Sequence, residues 1–169
     1  MCTQMDIDDL FAKHQAALLR YLTCYTGDPD VAADAAQDAY LRLLESPPRS
    51  ADNVRAWLFT VATNVVRNGW KRQGRMARLL KVPGRAPVAD QAPDPHTAVE
   101  RAERARFARR MVAKLSARER TVLLMWVEGF LHREIAEAVG TTTRTIGPTI
   151  ARALKKLACE IDQYLREDI

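Results

Sequence analysis

Cysteine is scarce: Cys2, Cys24 and Cys159 are the only three in 169 residues, with no C-x-x-C pair and no Cys/His ligand spacing. Neither a disulfide framework nor a structural zinc site therefore has a basis, and the three are expected to be reduced thiols, two of them on helix faces. Aromatic residues make up only 7% of the chain, enough for modest cores and too few for a large binding cavity. Long apolar runs are also missing. The longest, "VLLMWV" at 122–127, is far too short to cross a bilayer, and the acidic start "MCTQMDIDDLF" lacks a charged-then-apolar signal pattern, so a cytoplasmic protein without membrane insertion is expected.

Catalytic constellations are missing as well. His14, His96 and His132 have no cysteine or carboxylate at ligand or triad spacing, "HREIAE" is not the zinc-binding H-E-x-x-H, and no Gly-rich phosphate loop occurs. A non-enzyme with no cofactor and no metal is the expectation. Runs of β-branched residues are few, whereas Ala, Leu, Arg and Glu are abundant, and seven glycines with eight prolines are too few for a disordered chain. These proportions favour an all-α fold.

Carboxylates are absent from one long segment. Residues 1–52 hold nine acids and four bases, residues 53–89 hold eight bases and no acid, and residues 90–169 hold fourteen bases and twelve acids. The net charge of +5 thus has a location, and a stripe of this kind attracts polyanions, nucleic acid first among them. The competing explanation is a solvated basic face on a stable helix.

Apolar residues at Ile7, Leu10, Phe11, Leu18, Leu22 and Tyr25 recur at three- and four-residue intervals and predict a first helix, which "TGDPD" (26–30) stops. A second, from about Pro29 to Glu45, carries Val31, Ala35, Ala39 and Leu43 on one side. After "SPPRS" (46–50), Leu58, Val61, Ala62 and Val65 mark a third that continues into the basic stretch. These three helices form a lobe over 1–80. From 81 to 96, "KVPGRAPVADQAPDPH" has four prolines and no helical period, as a semi-extended linker would. A second lobe of about four helices over 97–169 follows, in which Val99, Ala102, Phe107, Met111 and Leu115 form a buried side and Ser116 with Glu119 forms a capping box.

On the third helix, at about 100° per residue, Asn64, Asn68, Lys71 and Arg75 share one face, flanked by Thr60 and Arg67, with Leu58, Val61 and Val65 on an adjoining face turned to the lobe. Amides and cations together offer base-edge hydrogen bonds and phosphate contacts. Trp70 adds a ring that could stack on an unpaired base or belong to the core. In the second lobe "REIAEAVGTTTRTI" has a helix-turn-helix layout: Ala136 at the crossing, Gly140 where φ > 0 is needed, Thr142 as N-cap, and Ile146 and Ile150 returning to the core.

"DAAQDAYLRLLE" (34–45), "VRAWLFTVATNVVRNGWKRQGR" (54–75), a proline-rich break and "LSARERTVLLMWVEGFLHREIAEAVGTTTRTI" (115–146) together resemble, in order and separation, the regions of the extracytoplasmic-function class of bacterial RNA polymerase sigma factors. The resemblance implies core RNA polymerase and promoter DNA as partners, and an anti-sigma factor as a possible third. It assigns Asp34, Gln37, Asp38, Leu41 and Arg42 to docking on the clamp helices of the polymerase's largest subunit, with Ala35 and Ala36 replacing larger aliphatics beneath. It assigns Asn64, Arg67, Asn68, Lys71, Arg72 and Arg75 to the minus-ten element, and the stacking reading of Trp70 adds that residue to the same site. The loop "ESPPRSADN" (45–53) matches one that captures a flipped base, and the linker one that threads toward the RNA exit path. Thr142, Thr143, Arg144, Thr145, Thr149, Arg152 and Lys155 fall to the minus-thirty-five element.

Gly147 and Pro148 depart from that pattern, standing where basic and small polar residues are usual. If the helix began at Thr143, Pro148 would sit in its second turn, at a cost of about 3 kcal/mol. A later start, with Gly147 as N-cap and Pro148 as first helical residue, avoids this; a helix that merely bends is the alternative. Either way, fewer cations at the helix start should weaken the grip on DNA. Two rivals remain: a helix-turn-helix regulator acting without the polymerase core, and a helical adaptor whose basic surface meets acidic protein or lipid head groups.

Overall fold

The computed structural model describes residues 7–48, 54–80 and 97–167, and all of its regular structure there is helical. Seven helices follow in order: α1 Ile7–Thr26, α2 Pro29–Glu45, α3 Val54–Leu80, α4 Thr97–Ala113, α5 Ala117–Val127, α6 His132–Val139 and α7 Thr143–Glu167. They divide into two compact units, residues 1–88 and 89–169. The expected linker at 81–96, most of the loop at 49–53, and Cys2 and His96 lie outside the described residues.

In the first unit, α1 turns Leu18, Tyr21, Leu22 and Tyr25 inward and ends at Gly27, whose φ of 79° is left-handed. Asp28 then opens α2 by accepting from the N–H groups of Asp30 (2.9 Å) and Val31 (3.2 Å), with Pro29 in the first turn where its missing N–H costs nothing. Ala32, Ala35, Ala36 and Ala39 of α2 are buried, together with Leu43. These small side chains let three helices converge without overpacking.

The inward face of α3 differs from the periodicity reading. Leu58, Phe59, Ala62, Thr63 and Val66 are buried, while Val61 and Val65 are only half-buried. The helix is turned by roughly a quarter rotation because Phe59 and Thr63 have partners on α1. The Phe59 ring lies 5.0 Å from that of Tyr21, and the Tyr21 hydroxyl meets Thr63 Oγ1 at 2.8 Å. Thr63 itself donates to the Phe59 carbonyl at 2.7 Å, so Tyr21 is the donor between the two hydroxyls.

In the second unit, Ser116 opens α5 with the expected capping box: Glu119 N–H donates to Ser116 Oγ and Ser116 N–H to Glu119 Oε2. Arg120 extends back and donates to the carbonyls of Val112, Ala113 and Leu115, satisfying the exposed end of α4. Val122, Met125, Phe130, Ile135, Ala136, Ile146, Ile150 and Ala153 form the core. Gly140 closes α6 at φ 65°, the conformation its place in the turn requires.

The start of the last helix is not delayed. α7 begins at Thr143 and runs through Pro148, which corrects the reading of Gly147 as its N-cap. Ile146, Ile150 and Ala153 are 0%, 6% and 0% exposed, and they can share one inward stripe only if the helix is already formed at Ile146. Burying two isoleucines contributes about 3–6 kcal/mol, more than the roughly 3 kcal/mol an interior proline costs.

Candidate nucleic-acid interface

Turning α3 toward α1 sets what its other side presents. Asn64, Arg67, Asn68, Lys71, Arg72 and Arg75 are all exposed, and Asn64, Asn68, Lys71 and Arg75 lie opposite the buried stripe, within about 60° of one another. None of the four cations has a carboxylate in salt-bridge range among the described residues, and α3 itself contains no acid. Their charge is available to an outside anion.

Trp70 sits elsewhere. Its indole lies flat on Tyr25, with ring centres 5.7 Å apart and planes 7° from parallel, about 120° around the helix from the Asn64 stripe. Tyr25 in turn stacks on Tyr21 at 6.0 Å, and the Arg55 guanidinium lies 5.7 Å from the Phe59 ring. A ladder of Arg55, Phe59, Tyr21, Tyr25 and Trp70 thus pins α3 to α1. Tyr21 and Tyr25 at four-residue spacing, opposite Phe59 and Trp70 three turns apart, are its sequence signal.

On α2, Asp34, Gln37, Asp38, Leu41 and Arg42 are all exposed on the side away from the alanines. Leu41 is 50% and Leu44 56% exposed, so an apolar strip runs beside the acidic groups. Leu44 was not among the residues the motif identified, although it follows Leu41 by three positions on the same side.

Thr142, just before α7, and Thr143, Arg144, Thr145 and Pro148 on it are exposed and Thr149 is half-buried, with Arg152 and Lys155 one and two turns on. A surface groove of about 430 Å³ follows, lined by Lys114, Leu115, Arg152, Lys155, Lys156 and Cys159 among others. Two of its cations are already paired. Lys156 Nζ lies 2.8 Å from Glu119 Oε1, and Lys114 Nζ 3.0 Å from Glu160. Together the Lys156 ammonium and the Ser116 hydroxyl hold the buried Glu119 carboxyl down to about 2. Arg152 and Lys155 are exposed and have no carboxylate in salt-bridge range among the described residues. Cys24 and Cys159 are both exposed free thiols, and no cluster of three or more metal-ligating side chains occurs among the described residues.

Residues 10–76 match the Sigma-70 region 2 family and residues 108–157 the Sigma-70 region 4 family. Across its length the chain is 30% identical, over 162 residues, to the ECF RNA polymerase sigma factor SigL of Mycobacterium tuberculosis, covering 91% of this chain and 88% of that one. This chain belongs to the ECF sigma factor family. It is also similar to the RNA polymerase sigma factor YlaC of Bacillus subtilis, 25% identical over 167 residues, with 96% and 95% of the two chains covered. Among solved structures, the sigma factor RpoE of Bartonella quintana, in complex with the anti-sigma factor NepR, shares the fold at a TM-score of 0.74. That match has 21% identity and covers 90% of this chain and 94% of the other. CnrH, in complex with the cytosolic domain of CnrY, does so at 0.62, with 23% identity over 96% and 91%. The polar stripe lies within the region 2 match and the helix-turn-helix within that of region 4.

Proposed function

We propose that this ECF sigma factor binds core RNA polymerase and directs it to promoters, opening the strands at initiation. The observation that carries this reading is the exposed, carboxylate-free stripe of α3, held opposite a well-packed core. Asn64 and Asn68 offer donors and acceptors to base edges while Arg67, Lys71, Arg72 and Arg75 neutralise phosphates. Such a ridge suits the minus-ten element once its strands part. With Tyr25 against its indole, Trp70 braces α3 in this reading and a base meets the stripe itself.

The second unit takes the upstream duplex. Thr142, Thr143, Arg144, Thr145 and Thr149 stand at the first turns of α7, which in a helix-turn-helix enter the major groove, and Arg152 with Lys155 follow on the backbone. Residues 1–80 would then melt the promoter and bind the polymerase, residues 97–169 would anchor upstream, and residues 81–96 would connect the two. Polymerase docking falls to Asp34, Gln37, Asp38, Leu41 and Arg42 on α2, where acidic and apolar groups differ in character from the DNA-facing stripe. Catalysis belongs to the polymerase, and the protein acts beside it in the cytoplasm. An anti-sigma factor is a further partner, by analogy with the complex of RpoE.

Run-off transcription with core polymerase on a promoter library tests the reading. Initiation selected by sequence is expected only when the protein is present, and lost when Asn64, Lys71 and Arg75 are together changed to alanine. Equal transcription from the triple variant would falsify it.

A further inference from the structure

The first two turns of α7, residues 143–149, hold one charged side chain, Arg144. Two of the three threonines there have already spent their hydroxyl proton. Thr145 Oγ1 donates to the Thr142 carbonyl at 2.8 Å and meets Thr141 Oγ1 at 2.9 Å, and Thr149 Oγ1 donates to the Thr145 carbonyl at 2.7 Å. With both protons spent on the backbone, Thr145 and Thr149 can donate nothing to a base and offer a methyl group and hydroxyl lone pairs. Between them stands Pro148, exposed and without an N–H. At four-residue spacing Arg144, Pro148 and Arg152 form one row, and the buried Ile146, Ile150 and Ala153 lie on the far side of the helix. The centre of this row, the Pro148 ring, is therefore apolar and flanked by guanidinium groups.

An apolar knob in a major groove has one base feature to recognise, because the C5-methyl of thymine is the only hydrocarbon group displayed there. We propose that Pro148, with the methyl groups of Thr145 and Thr149, is a specificity determinant that selects thymine in the upstream element by methyl contact, while Arg144 supplies the hydrogen-bonded contact. This inference rests on the proposed function, since it names what α7 reads at a site that the function assigns to duplex DNA. It also gives the proline a positive role. The helix retains a residue that costs it a hydrogen bond because the pyrrolidine ring is a rigid apolar surface with no side-chain entropy to lose on contact.

The test uses holoenzyme assembled with core polymerase on a promoter recovered from the run-off library. Each upstream thymine is replaced singly by deoxyuridine, which removes the methyl and nothing else. Binding by the unaltered protein is expected to fall about fourfold at one or more positions, the worth of one buried methyl-sized group. Pro148→Ala is expected to lose affinity for the thymine promoter by a similar factor and to show no further loss on deoxyuridine. Because alanine is the better helix former, unfolding cannot produce that result, and Thr149→Ser, which keeps the hydroxyl, checks the neighbouring methyl in the same way. Unchanged binding at every deoxyuridine position, or a thymine preference undiminished in Pro148→Ala, overturns this inference and leaves the sigma reading intact. A library from which no promoter is selected overturns both.

Discussion

Trp70 and Tyr25 are stacked nearly parallel, 5.7 Å apart, and this contact ties the basic part of α3 to α1. Trp70→Ala is expected to destabilise the first unit by about 1–3 kcal/mol through lost area and ring contact. Trp70→Phe, which preserves a ring, should cost less than half as much. Urea unfolding of both variants checks the order; equal losses would remove stacking from the explanation.

Within the α3 stripe, amides and cations should separate in a salt titration. Lys71→Ala is expected to weaken promoter binding by holoenzyme across sequences and to reduce the slope of log K against log salt by about one. Asn64→Ala should leave the slope alone and cost about 1–3 kcal/mol of discrimination against altered minus-ten sequences. A change of slope in Asn64→Ala would mean that it contacts phosphate.

Acid should weaken the second unit through Glu119. Its carboxyl, held at about 2 in the folded chain against 4.5 unperturbed, favours the folded state when ionised. The stabilisation is complete above pH 4.5 and is lost as pH falls toward 2, roughly 2–3 kcal/mol in all. Glu119→Gln should be less stable at pH 7 and show a flatter loss between pH 5 and pH 2. Equilibrium unfolding at several pH values decides this; a profile as steep as that of the parent places the acid sensitivity elsewhere.

His14 adds a sensitivity nearer neutrality. It is 8% exposed, and burial, with Lys13 and Arg55 nearby, lowers its pKa below the usual imidazole value. The unfolded chain takes up this proton first, so stability is greatest above pH 6.5 and declines as pH falls below it. His14→Gln should remove that part of the decline, seen as a smaller drop in Tm between pH 7 and pH 5.

Gly147 occupies a helix interior without a steric reason. A Cβ there would lie 4.0 Å from His132 Cε1, an ordinary contact. Gly147→Ala should therefore raise stability by about 0.5–1 kcal/mol, visible as a Tm increase of a few degrees. A decrease would show that α6 and α7 cannot accommodate the added methyl.

Much of this was legible in the residues. The capping box at Ser116 and Glu119, the left-handed turn at Gly140 and the exposed face of Asn64, Asn68, Lys71 and Arg75 all follow from local chemistry and helical period. The inward register of α3 did not, because Leu58, Val61 and Val65 compete with Phe59, Ala62 and Val66 as apolar stripes. The tie is broken by Tyr21, 42 positions from Thr63. At the start of α7 the residues point both ways: the inward Ile146 and Ile150 are legible in the sequence and so is the local penalty at Pro148, but which outweighs the other depends on how completely α5 and α6 bury the two isoleucines. The three carbonyls that Arg120 covers likewise appear only once α4 and α5 have folded against each other.

The rungs from Arg55 to Trp70 span four turns of α3 and rest on a second helix. Separating two DNA strands pulls sideways on whatever holds them, and a lone helix so loaded would bow or fray. Backed by α1 along this length, α3 is a stiff beam, which is what the proposed role in parting the bases requires of it.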